Sequence, residues 1–113
     1  MKLIGEITTV LISDNSANTV KYETTVGNEC EMTIIKNKCC IEFDIIVNSP
    51  KEYLHLIKIK NSRRKCHFKF TQINGIIYHL SGYVNGVVKV NMNKSIATIS
   101  AIGKITAIND LDK

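Results

Sequence analysis

The sequence predicts a mostly β domain, an antiparallel β-sandwich or barrel with one short helix at about residues 50 to 60. Three observations point there. Runs of β-branched and aromatic residues recur between turn-forming clusters. Two Asn-Gly pairs, Asn74-Gly75 and Asn85-Gly86, sit between such runs, and this dipeptide favours the positive φ angles of tight hairpins. Only one stretch, beginning Ser49-Pro50, carries a helix-start signature.

Residues 3 to 12 and 19 to 26 read as strands joined by the turn Ser13-Asp14-Asn15-Ser16. Gly27-Asn28 breaks the pattern, and residues 29 to 36 and 39 to 47 read as two further strands. In the second of these, Cys39, Ile41, Phe43, Ile45 and Val47 share one face, with Glu42 and Asp44 on the other. Side chains alternate across a strand, so one face is predicted to be buried and one wet. Ser49 is a good N-cap, Pro50 suits the first helical position, and Glu52 follows three residues after the cap. Tyr53, Leu54, Leu56 and Ile57 form the predicted apolar stripe, with Lys51, His55 and Lys58 outward. Residues 66 to 73, 76 to 84 and 87 to 92 read as a meander turning at the two Asn-Gly pairs. Asn91 to Lys94 makes a last turn before strands at 95 to 100 and 102 to 108, with Gly103 as a bulge or point of close approach.

Residues 1 to 113 form one domain, a size that can bury a single core without metals or disulfides. The 44% hydrophobic and 22% charged composition excludes a disordered chain, and no apolar run approaches the length of a bilayer-spanning helix. Gly5 and Glu6 interrupt the apolar stretch that a secretory signal requires. An intracellular domain is therefore expected, with Cys30, Cys39, Cys40 and Cys66 reduced and partly buried.

Charge divides the chain. Residues 1 to 57 hold five Lys/Arg against eight Asp/Glu, a net of −3; residues 58 to 113 hold ten against two, a net of +8. Lys58, Lys60, Arg63, Arg64, Lys65 and Lys69 make up much of that excess. Cations gather at a helix C-terminus because the dipole favours them. The same run offers phosphate contacts to nucleic acid, with Phe68 and Phe70 as stacking candidates. A third use is contact with the acidic first half of a neighbouring copy, a head-to-tail arrangement that builds rings or filaments.

Motifs for catalysis are missing: there is no P-loop, dinucleotide fingerprint, His-Glu-x-x-His or nucleophile elbow. No enzyme, cofactor or small-molecule substrate is expected. His55, His67 and His79 match no hydrolase spacing and read as structural or solvent-facing. Cys39-Cys40 and Cys66-His67 are adjacent pairs whose side chains point to opposite faces of a strand, so no zinc site is expected.

Tyr78, Gly82, Tyr83 and Val84, followed by Ala97-Thr98-Ile99-Ser100 and then Ile102-Gly103-Lys104-Ile105-Thr106, form a late pattern. In it, residues 50 to 108 resemble the tail-tube fold of long-tailed bacteriophages, shared by the inner-tube proteins of contractile injection systems. The resemblance implies a non-catalytic, self-associating structural protein that assembles into rings or tubes. Its partners would be further copies or other virion proteins. Its location would be the virion, after assembly in the host cytoplasm; otherwise the domain is expected to be cytoplasmic. The alternative is an OB-type single-stranded nucleic-acid-binding protein, a fold built from strands and a short helix. It would use Lys58, Lys60, Arg63, Arg64, Lys65 and Lys69 for phosphates and Phe68 or Phe70 for stacking.

Overall fold

The structure, a computed structural model, describes residues 2–14, 19–24, 29–35, 38–91, 93 and 95–110. Its strands are β1 (Lys2–Ser13), β2 (Thr19–Glu23), β3 (Glu29–Ile35), β4 (Lys38–Ile46), β5 (Cys66–Gln72), β6 (Ile76–Asn91) and β7 (Ile96–Asp110). One helix, α1 (Pro50–Ser62), joins β4 to β5. The fold is mostly β, and the strands form one antiparallel seven-stranded sheet in the order β2-β1-β3-β4-β7-β6-β5, with β1 also pairing to β5. The sheet therefore curls back on itself. It is neither two stacked sheets nor a regular closed barrel, because β1 divides its pairing among β2, β3 and β5.

The concave side holds the core. Alternation places Ile41, Phe43 and Ile45 of β4 inside, with Cys39 and Val47 packed against them, while Glu42 is exposed. β5 contributes Cys66, Phe68 and Phe70, and β7 contributes Ala97, Ile99 and Ala101. Phe43 meets Phe70 edge-on, with centroids 5.1 Å apart, a favoured aromatic geometry.

Helix α1 starts where the residues predict. The Ser49 side chain accepts a hydrogen bond from the Glu52 amide at 3.3 Å, and the Glu52 carboxylate accepts from the Asn48 amide at 2.8 Å. Arg63 closes the helix at φ 53°, its amide donating to the Lys60 carbonyl. The buried stripe is Leu56 and Ile59. Leu54, expected on that stripe, is 63% exposed, since at 3.6 residues per turn it lies about 200° from Leu56.

The two Asn-Gly pairs part company. Ile73, Asn74 and Gly75 form the β5–β6 connection, with Gly75 at φ 91° and its amide donating to the Gln72 carbonyl. Asn85-Gly86 makes no turn: β6 runs through it, and a register shift between Val84 and Gly86 absorbs the extra residue as a bulge against β7. Likewise the two final strands are one, β7, continuous through Ala101. Gly103 is indeed a point of close approach. It pairs with Gly82, and a Cβ on either glycine would come within 2.0 to 2.1 Å of a backbone oxygen of the opposite strand. The Gly27-Asn28 break, the side chain of Cys30 and the second half of the turn at 13 to 16 lie outside the described residues.

Candidate anion-binding groove

The basic run does not stay together. Arg64 turns toward the end of β1 and pairs with Asp14 at 3.7 Å. Lys58 joins them at the rim of a small cavity of about 90 Å³ that also holds His55 and Ser62. His55 was expected outward, yet it is half-buried and its Nδ1 lies 2.9 Å from the Tyr22 hydroxyl. That hydroxyl also donates to the Glu52 carbonyl. Burial, with Glu52 nearby, pushes the Tyr22 proton affinity up, and burial pushes that of His55 down, aided by Lys58 and opposed by Asp14. Tyr22, Ser62 and Arg64 are partnered within the fold, Lys58 stays exposed at the rim of this separate cavity, and the buried His55 Nε2 has no hydrogen-bond partner.

Phe68 and Phe70 are both fully buried and cannot stack on a ligand. Strand alternation is the cause: Cys66, Phe68 and Phe70 take the inner face of β5, which leaves His67 and Lys69 outside. Lys69 faces the outer surface of the β5–β6 ribbon opposite His79.

The remaining members, Lys60, Arg63 and Lys65, border a groove on the outer face. Lys60 and Arg63, at the end of α1, line a cavity of about 720 Å³ with Tyr83, Asn85 and Ile102. Lys65 lines an adjoining cavity of about 380 Å³, together with Lys38, Lys104 and the backbone of Gly82 and Gly103. Tyr83 and Ile102 are common to both and stand opposite each other across β6 and β7. Five cations thus surround one aromatic ring. No Asp or Glu lines either cavity, and none of the five cations forms an ion pair with an acidic side chain among the described residues. Tyr83 is 45% exposed, which leaves a ring face open.

Sequence reasoning missed Lys38, Tyr83 and Lys104. Sheet order explains the omission: β4, β7 and β6 are neighbours, so the start of β4, the middle of β7 and the middle of β6 meet although they are far apart along the chain. Tyr83 did leave a signal, as an aromatic on the wet side of a strand next to the buried Val84. The free thiols offer little chemistry. Burial raises the proton affinity of Cys66, whose thiol donates to the Arg64 carbonyl, and Cys40 bonds Ser100 at 3.3 Å. Among the described residues no three His, Cys, Asp or Glu side chains gather around a possible metal, and no helix is long and apolar enough to cross a membrane. No protein-family model matches the chain, and no curated protein matches it.

Proposed function

We propose that this domain is a binding protein for single-stranded nucleic acid, held in the groove between the end of α1 and the outer face of β4, β7 and β6. The reading rests on the composition of the groove: Lys38, Lys60, Arg63, Lys65 and Lys104 around an exposed Tyr83, with no acid among the described lining residues. Cations along a groove supply affinity for the phosphate backbone whatever the sequence. An exposed ring among them supplies a stacking platform, which an unpaired base can reach and a paired one cannot. Lys58, Arg64, Lys69, Phe68 and Phe70 leave the proposed interface, and Lys38, Tyr83 and Lys104 enter it. The test is fluorescence anisotropy with a labelled oligonucleotide at low salt. Binding that weakens when Tyr83 becomes alanine and when Lys60 and Arg63 become glutamine is the expected result; no binding at low salt overturns it.

A second reading, self-association of a tail-tube-like virion component, draws on the sheet edges. Among the described residues, β2 pairs only with β1, and β7 beyond Gly103 pairs only with β6. Such edges are templates for strands of another copy. Light scattering and electron microscopy of concentrated protein test it: rings or tubes support it, and a strict monomer removes it.

A further inference from the structure

The outer surface of the β5–β6 ribbon carries two histidines that meet diagonally. His79 stands opposite Lys69, and His67 opposite Ser81, so the rings belong to successive outward rows. His67 Nε2 lies 2.9 Å from His79 Nδ1, with ring centroids 5.1 Å apart and planes inclined by 43°. On its far side His79 Nε2 lies 3.0 Å from Asn109 Nδ2, and Thr106 donates to the His79 carbonyl at 3.4 Å. Neither histidine lines the groove described above.

A neutral imidazole has one N–H and one lone pair, so the contact between the rings holds a single proton. If both facing nitrogens carried hydrogens, the bond would be lost. Burial, His67 and Lys69 all lower the proton affinity of His79. A metal ion can take the place of the bridging proton and use both lone pairs.

The spacing selects the kind of ion. Imidazole nitrogens sit about 2.0–2.1 Å from a bound transition metal. Two of them kept 2.9 Å apart, with the rings turned so that both lone pairs meet the ion, subtend about 90° at it, whereas tetrahedral ligands would stand about 3.3 Å apart. A right angle is the angle between adjacent ligands in tetragonal and square-planar sites, the preference of Cu(II) and Ni(II) with nitrogen donors.

We propose that His67 Nε2 and His79 Nδ1 form a bidentate surface site for a divalent transition-metal ion of tetragonal preference, with water in the remaining positions. Binding requires the rings to tilt so that both lone pairs converge, and the exposed His67 has room to turn. With His79 bound through Nδ1, its Nε2 carries the proton. Asn109 then needs only to turn its amide and accept that proton with Oδ1, the outer partner that ligating histidines usually have. Lys69 is the opposing group, since its charge repels a cation beside His79.

Calorimetric titration of the full chain with nickel chloride, in a non-coordinating buffer with a phosphine reductant, tests the site, alongside imidazole NMR signals. The expected result is one ion per chain, with selective broadening of the His67 and His79 resonances and none of His55. His67→Ala and His79→Ala should each weaken binding about tenfold or more, since even supporting residues of metal sites cost that much. Lys69→Gln should tighten it. No binding at millimolar nickel, or binding that either histidine substitution leaves unchanged, overturns the proposal. The NMR signature is read on the unaltered chain, so it decides the matter even if a variant folds poorly.

Discussion

The salt dependence of binding gives the groove its most demanding test. Single-stranded nucleic acid releases counterions in proportion to the phosphates neutralised, with a log–log slope of about −0.7 per contact. Lys38, Lys60, Arg63, Lys65 and Lys104 line the groove, so a strand that meets all of them gives a slope of about −3.5. Raising monovalent salt fourfold, from about 50 to about 200 mM, then lowers affinity by about two decades. Replacing Lys60 and Arg63 together by glutamine leaves three contacts, a slope of about −2.1, and a loss of little more than one decade over the same range. Tyr83→Ala acts differently. It removes stacking worth about 1–3 kcal/mol and weakens binding at every salt concentration without changing the slope. Lys69→Gln, which lies outside the groove, should leave both quantities in place. Anisotropy titrations of a labelled oligothymidine at several salt concentrations separate these effects. A slope near zero, or one that Lys69→Gln lowers as much as the paired substitution does, would refute the assignment of phosphates to the groove.

Three further outcomes follow from the packing. Phe70→Ala empties a fully buried position against Phe43 and should cost about 3–5 kcal/mol in urea unfolding; a loss below about 1 kcal/mol would mean that the core is not packed as described. Ser49→Ala removes the side chain that caps α1 and should cost about 1 kcal/mol, with Ser49→Gly costing less. Stability should also fall as pH drops through about 6.5, the ordinary value that His55 regains in the unfolded chain. Burial lowers the proton affinity of His55 in the fold, so below that pH the unfolded chain binds the proton more readily, while above it the contribution is fully present. Urea midpoints at pH about 7.5 and about 5.5 measure this, and the difference should shrink in His55→Gln; an equal or higher midpoint at the lower pH contradicts it.

Local signals in the sequence were read well where local physics decides the outcome. The cap at Ser49, the turn at Asn74-Gly75 and the two faces of β4 each depend on residues within a few positions of one another. Asn85-Gly86 shows where that stops. The dipeptide permits a corner without compelling one, and here the pairing of β6 with β7 from Ile76 to Asn91 outweighs it. A Cβ at Gly86 would meet nothing within 4 Å, so space does not demand glycine there. Leu54 makes the same point for α1. The helix packs along the narrow line of Leu56 and Ile59, and no local pattern says which apolar residue a curved sheet will leave uncovered.

The site was legible only in part, for a reason the strand period itself supplies. The cations at 58 to 69 and the phenylalanines at 68 and 70 stand close in the sequence, and proximity made them look like one surface. Alternation divides them: whichever face of β5 took Lys69, Phe68 and Phe70 had to take the other, and the core claims the phenylalanines. An aromatic platform beside the basic run therefore had to come from another strand. β6 supplies Tyr83 because it pairs with β5 on one side and with β7 on the other. The same pairings bring in Lys104, and β4 adds Lys38. Two acids of the first half lie elsewhere: Asp14 holds Arg64, and Asp44 accepts a hydrogen bond from Thr98. Five cations that form no ion pair with an acid among the described residues thus gather around one ring. That concentration, with no acid among the described residues lining either cavity, supports the proposed polyanion at this face.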